Sequence, residues 1–459
     1  MAILHRTAVR LRIPHCRLRP LLPRLASCTL LVLTTSLSGC GRKAPAQQAV
    51  RVWHWMTDRE EPFNELASRY QKETGTAVRF ELYAPSDVYV QKVRAAAQTN
   101  ALPDIYGILG EMRDLASFIN AGHVLPLEAA MDQNNAAWRS VFFPKALAVN
   151  AFSKNNPYGV APGVYGVPVD VMNIQLFYNK KLLQKLGLDP TAPPKSWDEF
   201  LNVGKLAKSQ HLIGFVSGWA ELWLIDCFAT NYAIHTMDLK KVEATYRGQV
   251  SYTDPDWIRV LNLFAQLRDS GMLADGIVTM VNKRAEQFFA NEQAVFAFNG
   301  TWGVNVYQQM NPSLEYGVVM LPRLKERPMV TWGGAGSSFF VNPASLHKEQ
   351  ALAFLQWLTA EPQQRFLMEQ THNIPANRLA AAGLPPELAA FADDMDVTIH
   401  PRILTVQEDS TVIEAFNKGI QSILIGEATP EQVAQQVDEV KRRETTRRAE
   451  LNAAHAIRN

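Results

Sequence analysis

YGVPVDVMNIQLFYNKKLLQKLGLDPTAPPKSWDEF, residues 165–200, is the stretch on which the fold turns. Its first part, 167–179, is β-branched and aromatic behind Pro168, which predicts a long extended segment. Leucines at 182, 183 and 186 then recur at helical spacing. Gly187 stops that helix, and Pro190, Pro193 and Pro194 keep the next residues irregular. Ser196 with Glu199 three residues on reads as a capping box that opens another helix.

Outward from this stretch the pattern is α/β. Strands are expected at 49–55 and 77–82 around an amphipathic helix at 62–73, with Phe63, Leu66, Ala67 and Tyr70 on one face. That spacing favours parallel pairing with a right-handed crossover. A helix at 88–99 and a strand at 102–106 follow. Beyond the stretch we expect strands at 213–217 and 295–299 and helices at 222–232, 255–270 and 285–290. Helices at 348–358, 411–425 and 431–449 complete the reading.

Composition narrows the class. Hydrophobic residues at 47% and charged ones at 20% describe a globular chain. The formal charge of +2 is set by residues 1–39, which hold six arginines and no acidic residue; beyond them 40 basic residues face 44 acidic ones. That balance gives no footprint for nucleic acid. The arginines precede an apolar run at 25–37, shorter than the roughly 20 residues a membrane-spanning helix needs. A basic segment before a short apolar one is a secretory signal. Leu37-Ser38-Gly39-Cys40 closes it and resembles the bacterial lipobox, with Cys40 as the lipid-bearing residue. Cys16 and Cys28 fall in the signal, so Cys227 alone remains and no intrachain disulfide is expected.

Three motifs carry a family resemblance. One is Gly166 and Pro168, then Phe177 to Lys180, Gly187, Pro193-Pro194 and Ser196 to Phe200. The second is FFANEQAVFAFNGTWGVNVY at 288–307. The third is WGGAGSSFFVN at 332–342, followed by a helix. In this order they resemble bacterial extracellular solute-binding proteins of the sugar-binding, maltose-binding-protein-like type that serve ABC importers. The resemblance covers residues 49–440. It implies a two-lobe periplasmic-binding-protein fold of class II, with an interlobe cleft and several hinge passages. The divisions expected are a lipoprotein signal at 1–39, a tether at 40–48 and a first lobe at 49–170 plus 320–372. The second lobe would take 171–319 plus 376–445, and a tail 446–459. The hinge is expected near Asp170 to Met172, with further passages at 316–322 and 371–377.

The chemistry points to binding. H-E-x-x-H, C-x-x-C, G-x-S-x-G and P-loop patterns are all missing, and the ten histidines are scattered, so we expect no enzyme, metal or cofactor. Sugars have apolar faces that stack on aromatic rings. Trp55, Trp219 and Trp332 lie near ends of expected strands, where open α/β sheets bind ligands. Trp223, inside an apolar helix, is expected in the core. Gly333 and Gly334 are expected to let backbone approach a ligand. The resemblance adds Trp302, the stacking tryptophan of N-G-x-W, Glu111 in the loop after 102–106, and Asp58 and Arg59 after the first strand. One departure is that residues 403–411 have no aromatic residue, where the maltose-type branch has one. The expected function is capture of a mono- or oligosaccharide by a lipid-anchored, monomeric protein facing the periplasm or cell surface, with an ABC permease as partner. Alternatives are a glycerophosphodiester or polyol ligand, or a periplasmic glycoside hydrolase on the same lobes.

Overall fold

The computed structural model describes residues 49–458, apart from 85, 155 and 405. The expected signal, Cys40 and tether lie outside the described residues. Twelve strands are assigned: β1 Val50–His54, β2 Val78–Leu82, β3 Ile105–Gly107, β4 Ala151–Phe152, β5 Gly163–Val164, β6 Val167–Asn179, β7 Ile213–Val216, β8 Ala294–Gly300, β9 Tyr316–Val319, β10 Thr331–Val341, β11 Ile374–Pro375 and β12 Thr398–Ile399. The main sheet runs β2-β1-β3-β10-β6-β8-β7, with β9 and β11 also on β6 and β12 on β10.

The expected extended segment is β6, and it is the spine of the molecule. Twelve of its thirteen residues are buried, Met172 being half-buried, as a strand covered on both faces requires. Its first half, Val167 to Asn173, pairs antiparallel with β10, and its second half, from Ile174, pairs with β8 and β9. One lobe therefore ends and the other begins within a single strand. β10 makes the return: Thr331 and Trp332 pair with β12, Gly333 to Phe339 with β6, and Phe339 to Val341 with β3. The first lobe's core holds Phe63, Leu66 and Tyr70 of the helix Glu60–Thr74, packed with Phe339 and Phe354. The second lobe's core gathers Trp219, Phe228, Phe264 and Phe298.

Local signals hold where they are local. Ser196 Oγ accepts from Glu199 N at 3.3 Å and Glu199 Oε2 accepts from Ser196 N at 3.1 Å, closing the capping box. Helices Pro255–Ser270 and Lys348–Leu358 have the expected bounds. Three passages differ. Residues 320–332, expected in the first lobe, pack on the second: Leu321 and Met329 lie in its core, and Tyr232 donates to the Pro322 carbonyl at 3.0 Å. After β11 the chain stays on the first lobe, where Ala376 is in the core and Arg378 N donates to Val141 O at 2.8 Å. The expected tail at 446–459 instead continues the helix Pro430–Arg458. Among the described residues, no helix is long and apolar enough to cross a membrane.

Candidate functional site

The strand ends at the crossing enclose a cavity of about 470 Å³. Trp55, Asp58 and Arg59 reach it from the loop after β1, and Trp302 from the turn after β8. Two of the cleft tryptophans, Trp55 and Trp302, crowd against a glycine. A Cβ on Gly107 would come within 2.1 Å of the Trp55 ring, and one on Gly300 within 1.9 Å of the Trp302 ring. Only a glycine at the end of β3 and of β8 leaves room for the indole, so the Asn299-Gly300-Thr301-Trp302 turn is one steric unit.

Trp223 also lines this cavity. It is 41% exposed, its ring 5.8 Å from that of Trp302 at 51°. The core position expected for it is therefore corrected. The helix Leu222–Met237 is apolar almost all round, and its first turn leaves the core at the cleft edge. Glu221 orients the wall: its carboxylate accepts from Trp223 Nε1 at 3.2 Å and from Asn282 N at 2.8 Å. Trp219 is the converse correction. It is 0% exposed, packed against Phe215, Phe228 and Phe264, and faces no cleft.

The polar floor is built around an ion pair. Arg59 Nη2 lies 2.5 Å from Asp170 Oδ2, both side chains buried. Asp170 Oδ1 accepts from Ser337 N at 2.6 Å and from Ser337 Oγ, which in turn accepts from Arg59 Nη1 at 3.2 Å. Asp58 accepts from Arg59 Nε at 3.4 Å and from Asn373 Nδ2 at 3.1 Å. Burial works against the Arg59 charge, but Asp170 and Asp58 outweigh it and raise the pKa. Arg59 thus ties the loop after β1 to the spine, where sequence reading placed it as a ligand contact. Its partners Asp170 and Ser337, and Asn373 that donates to Asp58, were missed, since 111 residues or more separate each pair.

Glu286 completes the second-lobe wall. It is 7% exposed and accepts from Asn282 Nδ2 at 2.9 Å and Asn299 Nδ2 at 3.1 Å. Burial pushes its carboxyl pKa up, against hydrogen bonding from Asn299, Trp302 and Asn282.

Two expected positions lie elsewhere. Trp332 is half-buried and tilted on His400, ring centroids 4.5 Å apart, and does not line the cavity. Gly333 and Gly334 press against protein: a Cβ on Gly333 would meet Met172 O at 2.5 Å, and one on Gly334 would meet Val149 at 2.8 Å. The close backbone approach expected of these glycines is to β6, and it is Gly336 that lines the cavity. Glu111 borders a second cavity, with Tyr158, Asp226 and Glu408.

These features describe a two-lobe protein with a cavity at the crossing of its sheets. The chain belongs to the family of bacterial extracellular solute-binding proteins, whose model matches residues 65–397. The multiple sugar-binding protein of Streptococcus mutans is 23% identical over 240 residues, 50% of this chain and 54% of that one. The chain thus spans about half the length of that relative. Among solved structures, one described for xylan utilization by Caldanaerobius polysaccharolyticus superposes with a TM-score of 0.72 at 17% identity, covering 85% of this chain and 99% of the other. An ABC transporter solute-binding protein from Thermotoga lettingae bound with α-D-tagatose gives 0.70 at 18% identity, covering 86% and 99%. At these identities the structures show the fold, a class II two-lobe arrangement.

Proposed function

We propose that this chain captures a carbohydrate between its lobes and presents it to the permease of an ABC importer. One observation carries the reading. Trp55 from the first lobe and Trp223 and Trp302 from the second line one cavity with neutral amides and hydroxyls, among them Asn282, Asn305 and Ser337. Indole faces fit the apolar faces of a sugar ring, and amides fit its hydroxyls. The volume falls inside the range of about 300–1,000 Å³ usual for small-ligand pockets. The sugar binding named for the Streptococcus relative and the tagatose in the Thermotoga structure agree with it. A glycerophosphodiester fits less well: Arg59 is the only cation among the described lining residues, and Asp170 and Asp58 already neutralise it. A ligand touching both walls stabilises the closed arrangement over the open one, which is the state a permease would receive.

Anchoring belongs to the same proposal. Cys40, at the end of the apolar run, would carry the lipid and hold the protein at the periplasmic or outer face of a membrane. Cys40→Ser should then move the protein from the membrane to the soluble fraction, and unchanged fractionation would remove this part. The binding reading is tested by thermal shift of the mature protein against a carbohydrate panel, with the sugars analysed afterwards. We expect a raised melting temperature with at least one sugar, recovered unhydrolysed. No shift across the panel would reject the reading, and hydrolysis would favour the glycosidase.

A further inference from the structure

The chain enters the first lobe at Ala49, which borders a groove of about 500 Å³. β1, β2 and β3 run parallel, so their first residues share one end of the sheet. The loop after β1, which carries Trp55, Asp58 and Arg59 into the cavity at the crossing, lies at the other end. The five residues of β1 set the two ends roughly 17 Å apart.

At the Ala49 end, the turn between β10 and the helix Lys348–Leu358 carries Leu346, 92% exposed and the most exposed large apolar side chain among the described residues. A lone surface leucine is ordinary, but this one stands on a pinned frame. Asp104 accepts from Ser345 Oγ at 2.5 Å and from Arg51 N at 2.7 Å. Ser345 Oγ accepts from His347 N at 2.8 Å, and Asn342 Oδ1 from Ala344 N at 2.9 Å. These bonds also occupy Asp104, the only acidic residue among the described lining of the groove. The cations are freer. Arg79 keeps 73% of its side chain exposed, 3.9 Å from a Glu81 that Arg51 already holds at 2.8 Å. Lys348 is exposed beside Glu349 where the next helix opens. Upstream of Ala49, the expected tether contains Arg42 and Lys43 and no acidic residue. From Cys40 to Ala49 the chain is nine residues, at most about 30 Å.

We infer that this end of the first lobe rests on the membrane that holds the anchor, with Leu346 entering the interface and Arg79 and Lys348 against anionic phospholipid headgroups. The inference rests on the anchoring reading, because the lipid at Cys40 is what brings this end within reach. Contacts too weak to bind a free protein are enough to orient a tethered one, since the anchor makes the encounter intramolecular. The pose turns the opposite end of the sheet, with the cavity at the crossing, away from the bilayer and towards arriving solute.

The test places an environment-sensitive fluorophore on Ala344→Cys, an exposed position two residues from Leu346, in the mature protein bound to vesicles of equal parts phosphatidylglycerol and phosphatidylcholine. Cys227 is buried and takes no label. The reference probe is on Val88→Cys, 51% exposed and two residues from Ser86 of the cavity at the crossing. We expect blue-shifted emission at 344 and about threefold less quenching by acrylamide than at 88, with the difference much reduced on pure phosphatidylcholine. Leu346→Asp, and Arg79→Gln combined with Lys348→Gln, should each return quenching at 344 to the level at 88 in protein that melts normally. Equal quenching at both positions, with mass spectrometry showing an acylated Cys40, would overturn the docked pose and leave the anchor standing. So would protection that both sets of substitutions preserve. A mature protein whose Cys40 carries no acyl chain would overturn the anchoring reading and the pose with it.

Discussion

Arg59 and Trp302 sit on the same cavity with opposite duties. Arg59 is locked to Asp170 and Ser337, so its removal strands a buried carboxylate, an error that costs about 3–5 kcal/mol in comparable pairs. Arg59→Ala should therefore lower the stability of the unliganded protein in urea titration by several kcal/mol. An unchanged unfolding midpoint with lost affinity would restore it as a ligand contact. Trp302 is half-buried over Gly300, with one face available to the cavity. Covering roughly 80 Å² of ring with a sugar face is worth about 2 kcal/mol, about thirtyfold in affinity. Trp302→Ala should weaken sugar binding by one to two orders of magnitude in calorimetry, with only a small fall in apo melting temperature because the ring also borders the second-lobe core. A large apo destabilisation with normal affinity would make it a core residue.

At the scale of elements, β6 is the spine, and the expected hinge falls inside it. Val171 is fully buried and pairs with Ala335 of β10 on one side and Ile374 of β11 on the other. A proline there removes a ladder donor inside a central strand. Val171→Pro should thus destabilise the whole protein by about 3 kcal/mol or more, read as a lower melting temperature before any effect on closure can be seen. A variant that melts normally and merely fails to compact with ligand in solution scattering would show the hinge to be separable from the fold. The strand itself was legible in the sequence because its signal is local: Pro168 and the β-branched and aromatic run behind it lie within thirteen residues. The capping box at Ser196 was legible for the same reason. Trp223 was misplaced because the helix Leu222–Met237 carries apolar residues on every side and offers no stripe to orient it; Trp219, in the turn before that helix, folds back onto Phe215, Phe228 and Phe264, contacts that only the fold creates. The Arg59–Asp170–Ser337 floor is invisible in sequence, since only the folded crossing brings these residues together.

For the molecule as a whole, buried histidines set a direction for its response to acid. Burial, and then the charge of Arg59, lowers the His54 pKa to about 4, and His235 and His400 are lowered as well. An unfolded imidazole titrates near 6.5. Between those values the unfolded chain takes up the proton and the folded one does not, so the His54 contribution is full above about 6.5 and is lost as pH falls towards 4. Glu111, Asp226 and Glu286, whose pKa values are raised, act in the opposite sense, so a variant comparison is needed to isolate it. His54→Phe, among Phe63 and Phe80, should lose less stability between pH 7 and pH 4.5 than the parent, by as much as about 3 kcal/mol. Equal losses would place the acid sensitivity elsewhere.

The tryptophan pair in the cleft has an optical consequence. The Trp223 and Trp302 rings, 5.8 Å apart and inclined at 51°, are close enough for their electronic transitions to couple, and such coupling yields a paired positive and negative band in circular dichroism. A sugar resting on either ring, or a small turn of one indole against the other, changes that band. The protein therefore carries its own unlabelled spectroscopic reporter on the wall of the cavity proposed to take the sugar, and Trp223→Phe should silence it.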